Sequence, residues 1–301
     1  MQPAIKDSTL FLGRSAEVEA KIQKHLDASK NFPTPQNKIF NIVTKVNDFN
    51  SLKSELAEAI IQVQDLAKKL HYKKKSKEQL KNLSPVSEKD LVKTVQVLGY
   101  DIIKEESENF LVSEFLNLAN KTKDRNLKKI IKNAAWMGAI ARGVADIIEY
   151  PENDHAFFAG LNYYLGTVIV GISDPRAFQE IEEMKSKGMD EHSSSEAILG
   201  LPLSEISKRF LLNNKIPEPV IDTVCNGKEH KNKDENNTLV AIVKYSEKIV
   251  KSINDDKKSI ADIWAESKPY LDDLGIKLSF SDWSREIKLI FFKLIKLENE
   301  V

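Results

Sequence analysis

The chain has 301 residues, of which 41% are hydrophobic and 30% charged, so it can bury a substantial core as one large domain or two smaller ones. Lysine plus arginine equals aspartate plus glutamate at 45 each, which excludes a global field that would attract nucleic acid or anionic lipid. The single cysteine, Cys225, excludes an internal disulfide and fits a reducing compartment. No apolar run reads as long enough to cross a bilayer, so we expect a soluble, cytoplasmic protein.

The N-terminal third predicts helices, because its apolar residues recur every three or four positions. A lead-in helix is predicted over residues 1–30, and the prolines within 32–35 break the chain after it. Two apolar stripes follow, formed first by Ile39, Ile42, Val43 and Val46 and then by Leu52, Leu56, Ile60, Val63, Ala67 and Leu70. Residues 68–81 carry seven lysines against one glutamate, which indicates a solvated helix face or, alternatively, a phosphate-binding surface.

The middle of the chain predicts a helix that starts at Ser87, before an apolar run, and ends at Gly99 in the left-handed conformation. A core helix is predicted over residues 134–148. Its buried face is expected to consist of Trp136, Ile140, Val144 and Ile148, which recur every fourth position. The small residues Gly138 and Gly143 beside this face predict the close approach of a second helix.

Residues 157–170 are strongly apolar and must lie in a core, and Gly160 and Gly166 within them predict close backbone packing. A helix follows Asp174-Pro175, and a polar, solvated connector is predicted over residues 188–195. The last buried face is predicted to consist of Ile287, Ile290, Phe291 and Leu294. No alternation typical of strands occurs, so the predicted fold class is all-α.

The segment Phe158-Ala159-Gly160-Leu161, together with Gly166, resembles the central motif of HDOD domains, a bacterial signalling family derived from the HD-type metal phosphohydrolases. In that family the motif reads approximately Phe-x-Ala-Gly-Leu-Leu-His-Asp-Ile-Gly, and the His-Asp pair is the metal-binding signature of the parent enzymes. Tyr163 and Tyr164 stand at the positions of that pair. The resemblance therefore preserves the frame of the motif without its metal ligands.

Two further family positions also lack histidine. Leu203 stands where the family has the His of a Gly-x-x-His segment, and a later His-His pair would fall near Gly227. The resemblance thus implies that Tyr163, Tyr164, Leu203 and Gly227 are degenerate former metal-site positions and that no cofactor is bound. Because two tyrosine rings can fill a vacated pocket, we expect Tyr163 to be the more buried of the pair.

The resemblance implies an HD-domain-like multi-helix bundle of the HDOD type. We divide the chain into an N-terminal helical lead-in at 1–31, an HDOD-like domain at 32–227, and C-terminal helices at 238–301 that pack on that domain. The implied function is a non-catalytic output or adaptor module that binds protein partners in bacterial signal transduction. We expect no membrane partner and no nucleic-acid partner.

The alternative is a divergent metal-dependent phosphohydrolase of the HD superfamily that acts on nucleotides or cyclic dinucleotides. Two side-chain pairs are weak candidates for a metal site of their own. Asp154 and His155 could hold a metal, although an aspartate that caps a helix explains them as well. His192 and Glu196 share one helix face at their spacing of four, although the serines between them favour a solvated connector.

Overall fold

The structure is a computed structural model that describes residues 8–28, 36–48, 50–73, 84–226, 238–253, 258–273, 275–277 and 279–301, with the side chains of these residues from 16 onward except that of Asp273. Every regular element in these ranges is an α-helix, so the prediction of an all-α multi-helix bundle is confirmed. In chain order the helices are α1 (Ser8–Ala28), α2 (Gln36–Asn47), α3 (Lys53–Ile61), α4 (Gln64–His71), α5 (Glu88–Leu98), α6 (Tyr100–Lys121), α7 (Arg125–Ile147), α8 (Asn153–Leu161), α9 (Leu165–Ser173), α10 (Pro175–Ser186), α11 (Glu191–Leu199), α12 (Leu203–Asn213), α13 (Glu218–Asn226), α14 (Thr238–Ile253), α15 (Ile260–Asp273) and α16 (Phe280–Glu300).

Helix α1 confirms the predicted lead-in helix and lies against α9 and α12. Its apolar residues Ile22 and Leu26 are buried. The ring of His25 is buried beside them, and its Nδ1 atom lies 2.7 Å from Ser173 Oγ at the end of α9. The predicted proline break at 32–35 lies outside the described residues.

The two apolar stripes form α2, α3 and α4. Ile39 and Ile42 of α2 are fully buried, as predicted. The second stripe forms two helices, because the chain leaves the helical conformation at Val63, which has φ −124° and ψ 80°. Val63 stays buried through this turn, whereas Leu52 is 62% exposed, contrary to the prediction. Residues 74–81 of the lysine-rich segment lie outside the described residues.

Helix α5 starts where the sequence predicts. The Ser87 hydroxyl accepts a hydrogen bond from the Asp90 backbone N–H at 3.2 Å. Gly99 ends the helix with φ 79° and ψ 164°, so its φ is positive but its ψ is extended, which corrects the predicted left-handed helical cap. Since glycine adopts positive φ without steric cost, α6 can begin at the next residue, Tyr100.

Helix α7 lies at the centre of the bundle, because α6, α8, α14 and α16 all pack against it. The predicted close approach of a second helix is confirmed at α8. A Cβ atom on Gly160 would lie 2.6 Å from the Met137 carbonyl oxygen and 2.9 Å from Ala141 Cβ. A Cβ atom on Gly138 would lie 3.1 Å from Leu161 Cβ. The two helices therefore touch through backbone and small side chains.

The predicted buried face of α7 is wrong at both ends. Ile140 and Val144 are buried, but Trp136 and Ile148 are only half-buried. Residues four apart advance about 40° around a helix, so a stripe with that spacing turns by about 120° over three steps. Trp136 consequently lies against Phe291 of α16, with ring centroids 6.0 Å apart.

The segment Asn153–Ser173, which contains α8 and α9, has the length and apolarity of a membrane-spanning helix, with a mean hydropathy of 1.4 in its most apolar window. The expectation that no apolar run reaches this length is therefore wrong. The segment is nevertheless core in character, since 83% of its most apolar window is buried inside the bundle. The helix also ends at Leu161 and begins again at Leu165.

The predicted solvated connector at 188–195 is wrong in its second half, which belongs to α11. Asp190 caps this helix by accepting a hydrogen bond from the Ser193 backbone N–H at 2.9 Å. Ser194 and Ser195 are fully buried, and their hydroxyls donate to backbone carbonyl groups one turn earlier. Because these small polar groups are hydrogen-bonded within the helix, their burial leaves neither hydroxyl unpaired.

The C-terminal helices pack on the rest of the bundle through α14 and α16. The last buried face is confirmed in part, with Ile287 and Leu294 buried and Ile290 and Phe291 half-buried. Trp283 of α16 is also fully buried, and its Nε1–H donates to Tyr245 Oη of α14 at 2.5 Å. The inner side of α16 is therefore held by aromatic and aliphatic side chains.

Candidate functional site

The turn between α8 and α9 brings the two tyrosines of the motif together, and we call residues Asn162, Tyr163 and Tyr164 the tyrosine turn. Tyr163 is 5% exposed and Tyr164 is half-buried, so Tyr163 is the more buried, as expected. Their rings meet edge to face with centroids 5.1 Å apart. Asn162 holds the turn in place, since its Nδ2 donates to the Phe158 carbonyl at 2.9 Å and to Gln36 Oε1 at 2.8 Å.

Both phenol hydroxyls donate to one carboxylate, that of Glu247 on α14. The Tyr163 hydroxyl lies 3.1 Å from Glu247 Oε2, and the Tyr164 hydroxyl lies 3.4 Å from Oε1. Lys251, one turn further along α14, forms an ion pair with the same carboxylate at 2.8 Å. Sequence analysis missed Glu247, although a glutamate inside the buried stripe of α14 is a signal that could have indicated it.

The phenols of the tyrosine turn stay protonated. Burial raises the pKa of Tyr163 and of Tyr164, and the adjacent Glu247 carboxylate raises both further. A tyrosine oxygen binds a metal ion well only after it has lost its proton. The pair therefore acts as two hydrogen-bond donors and is a poor substitute for the histidine and aspartate of an HD-type metal site.

Around the tyrosine turn, Leu203 begins α12 and is 5% exposed. Its carbonyl oxygen fills the space that a Cβ atom on Gly166 would need, so α9 and α12 approach closely there. Thr167 donates to the Glu191 carboxylate of α11 at 3.4 Å. Gly227, the fourth position implied by the resemblance, lies outside the described residues.

These residues do not fit a divalent metal ion. A phosphohydrolase metal centre takes several imidazole and carboxylate ligands that converge on one point. The described positions instead hold two neutral phenols, Tyr163 and Tyr164, and the apolar Leu203. In the part of the chain that the structure describes, no group of three or more His, Cys, Asp or Glu side chains is placed to hold a metal ion.

The first weak metal candidate, Asp154 with His155, has its two side chains in different surroundings. Asp154 does not cap α8, whose N-cap residue is Glu152. The Asp154 side chain is buried and acts electrostatically on Lys104 of α6. The His155 ring instead stacks on Phe40 of α2, with ring centroids 6.2 Å apart.

Beside Asp154 lies a set of polar side chains, which we call the charged cluster: Lys104 and Glu108 are buried, Arg142 and Asn153 are half-buried, and Asp146 is exposed at the edge. Lys104 Nζ donates to Asn153 Oδ1 at 2.8 Å, and Asn153 Nδ2 donates to Asp146 Oδ1 at 2.9 Å. Arg142 donates to Glu108 Oε2 at 3.1 Å and to Asp146 Oδ1 at 2.5 Å. Sequence analysis missed this cluster, because most of the contacts that join its members run between α6, α7 and α8.

Burial decides the ionisation of the charged cluster. It raises the pKa of Glu108 to about 7, against the attraction of Arg142 and Lys104, which lower it. Burial also lowers the pKa of Lys104, and the positive charge of Arg142 lowers it further. The Glu108 carboxyl therefore changes charge near neutral pH.

The second weak metal candidate, His192 with Glu196, lies on the outer side of α11. Their spacing of four does place both on one face, with His192 Nε2 3.5 Å from Glu196 Oε1. The two side chains are 48% and 54% exposed. The pair is a solvated contact at the surface, where ion pairs contribute little to stability.

Solved structures with the same fold come from several bacteria. A protein of Shewanella amazonensis SB2B named "Putative phosphohydrolase" superposes with a TM-score of 0.62 at 15% identity, over 92% of this chain and 97% of that one. An HDOD domain protein with unknown function from Geobacter sulfurreducens gives 0.59 at 15% identity, over 94% and 97%. A Marinobacter aquaeolei VT8 protein named "Putative signal transduction protein" gives 0.58 at 14% identity, over 96% of this chain and 66% of that one. At these identities the likeness shows the fold alone.

The comparison by sequence rests on a family profile. No curated protein sequence matches the chain. The profile of the HDOD domain matches residues 32–230, which contain the tyrosine turn and Leu203. Because this match spans more than half of the sequence, the chain belongs to the HDOD domain family.

Proposed function

We propose that the chain is a non-catalytic output or adaptor module of bacterial signal transduction, which acts by binding other proteins in the cytoplasm. Membership of the HDOD family supports a signalling role, and one similar structure carries the name of a signal transduction protein. The single cysteine favours a reducing compartment. The module acts with no bound cofactor and with neither a membrane nor a nucleic acid as its partner.

The observation that carries the proposal is the tyrosine turn. At the two positions where the family's motif has histidine and aspartate, Tyr163 and Tyr164 present neutral phenols that are already hydrogen-bonded to Glu247. Two large rings stand at these positions, and the buried Leu203 adds an apolar side chain nearby. A site of this composition can hold helices together, but it offers neither an activated water nor a clamp for phosphate.

The test compares the protein with a variant in which the family pair is restored, Tyr163→His with Tyr164→Asp. Both are incubated with Mn²⁺ and bis(p-nitrophenyl) phosphate, and both are melted with and without EDTA. We expect no metal-dependent hydrolysis from either protein, because Leu203 still lacks an imidazole. We expect EDTA to leave the melting temperature of the parent unchanged, since a native-state ligand would otherwise stabilise it.

The variant should melt at a lower temperature than the parent, because two large rings and their bonds to Glu247 are lost. Tyr270→His, at a 40% exposed position of α15, is the control for the introduction of a histidine and should leave the melt unchanged. Stoichiometric metal in the purified parent, or hydrolysis that EDTA abolishes, would contradict the proposal and favour the divergent phosphohydrolase.

A further inference from the structure

Helix α16 has an apolar outer side as well as an apolar inner side. Its inner side is buried through Trp283, Ile287, Leu294 and Leu297. On the opposite side Leu289, Phe292 and Ile295 are 52%, 70% and 51% exposed. A helix that is apolar on both sides usually packs against another element on each side. The reason is that covering solvated apolar side chains lowers the free energy.

The exposed residues form one continuous strip. On a helix that turns about 100° per residue, Leu289 and Ile295 lie within about 60° of Phe292, one on each side of it. Lys288 and Lys296 lie within about 40° of Phe292, and Arg285 lies closer still. We call these six residues the outer strip; it is about 17 Å long at 1.5 Å per residue.

Every charged residue of the outer strip is basic. Arg285 and Lys296 are 67% and 69% exposed, and Lys288 is exposed as well. The carboxylates that pair with Arg285 are those of Asp282 and Glu286, which lie further round the helix. Exposed pairs of this kind are weak, so these cations can exchange them for acidic groups on a partner.

We propose that the outer strip is the docking surface for an acidic amphipathic helix of a partner protein, an inference that rests on the adaptor function proposed above. The partner helix would cover Leu289, Phe292 and Ile295 with its own apolar face, over about three turns. Its flanking glutamates or aspartates would pair with Arg285, Lys288 and Lys296. Phe292, the most exposed of the three apolar residues, would be the anchor.

The charges of the outer strip argue against a second copy of this chain. If two α16 helices packed antiparallel about Phe292, Lys288 of one copy would face Lys296 of the other. If they packed parallel, each cation would face its own counterpart. Both arrangements place like charges together, which disfavours association, whereas an acidic helix places opposite charges together.

The test uses two synthetic helical peptides of about 18 residues, long enough to cover the strip. They share the same leucine face, and one has glutamate and the other lysine at the flanking positions. Binding is measured by fluorescence anisotropy. We expect the acidic peptide to bind and the basic peptide not to bind. Phe292→Ser should weaken binding at least tenfold, and Lys288→Glu with Lys296→Glu should abolish acidic-peptide binding and permit binding of the basic peptide.

The matched control is Val97→Ser, which removes an 82% exposed apolar side chain from α5, outside the outer strip. It should leave the affinity for the acidic peptide unchanged. The parent and each variant are first melted, and we expect equal melting temperatures because the altered side chains are exposed.

Several outcomes would overturn the docking proposal. These are no binding of the acidic peptide, equal binding of both peptides, or acidic-peptide binding that Phe292→Ser leaves intact. Sedimentation of the protein with phosphatidylglycerol vesicles, lost in Phe292→Ser, would assign the strip to a membrane. A concentration-dependent dimer lost in the same variant would assign it to a second copy. Failure of the adaptor function itself would show separately, as metal-dependent hydrolysis by the unmodified protein.

Discussion

The tyrosine turn and the charged cluster are two polar regions at opposite ends of α8. They differ in how their polar side chains are paired inside the bundle. In the tyrosine turn, two neutral phenols donate to Glu247, whose charge Lys251 balances. In the charged cluster, the buried Lys104 and Glu108 lie beside the half-buried Arg142, which donates to Glu108 and to the exposed Asp146.

The difference lies in what burial does to each set of groups. Burying a phenol costs little once its hydroxyl has an acceptor, and its proton stays on at any ordinary pH. Burying a carboxylate costs several kcal/mol of free energy, and the attraction of a nearby cation offsets about the same amount. The tyrosine turn should therefore respond weakly to substitution and not at all to pH near neutrality, whereas the charged cluster should respond strongly to both.

The largest effect is expected when Arg142 is removed. Arg142→Met leaves the buried Glu108 carboxylate without its partner, and should lower the free energy of unfolding at pH 8 by about 3–5 kcal/mol. The loss should be smaller at pH 5, where Glu108 takes up a proton. Urea denaturation at both pH values measures it. Arg176→Met is the control, because Arg176 also forms an ion pair but is 90% exposed. This variant should change the free energy of unfolding little at either pH.

A loss of similar size at both pH values would show that Arg142 stabilises the fold by packing rather than by charge. Adding Glu108→Gln to Arg142→Met should recover most of the lost stability, since no buried charge then remains unpaired.

The second effect concerns the pH dependence of the unmodified protein. The folded-state pKa of Glu108, about 7, lies above its ordinary value, so the folded state holds this proton more tightly than the unfolded state does. The contribution of Glu108 to the free energy of unfolding is fully present below its unfolded pKa and is lost as pH rises through 7. This loss amounts to at most about 3 kcal/mol. Urea denaturation between pH 4.5 and pH 8, with buffers at about constant ionic strength, should show this fall in stability.

Other groups near Glu108 also titrate, and Lys104, whose pKa burial lowers, acts in the opposite direction. The comparison with Glu108→Gln isolates the effect of the carboxyl. The variant should have the flatter profile, and identical profiles for the two proteins would contradict the raised pKa.

The smallest effects are expected at the tyrosine turn. Tyr163→Phe removes a hydrogen bond of 3.1 Å to a carboxylate and should lower the free energy of unfolding by about 2 kcal/mol. Tyr164→Phe removes a longer bond of 3.4 Å and should lower it by about 1 kcal/mol. Neither cost should change between pH 5 and pH 8, because both phenols stay neutral. The exposed Tyr270→Phe serves as control. A pH-dependent cost would mean that the two regions are coupled through α8.

Local pattern was enough to predict most helices of this chain. The Ser87 cap, the lead-in helix and the apolar stripe of α2 depend on neighbours within one or two turns, which the sequence displays directly. The close approach of α7 and α8 was also predictable, because Gly138 and Gly160 remove the side chains that would keep the backbones apart. The motif with its two tyrosines likewise indicated the family, which the profile match supports.

Tertiary structure alone decided what surrounds these elements. It brought Glu247 to tyrosines more than 80 residues away in the sequence, assembled the charged cluster from three helices, and left Trp136 half-buried against α16. It also left Phe292 exposed while Trp283 of the same helix is buried. The periodicity of apolar residues indicates which residues share a face of a helix. Which faces are covered depends on where the other helices pack, and their packing is set by the free energy of the whole bundle.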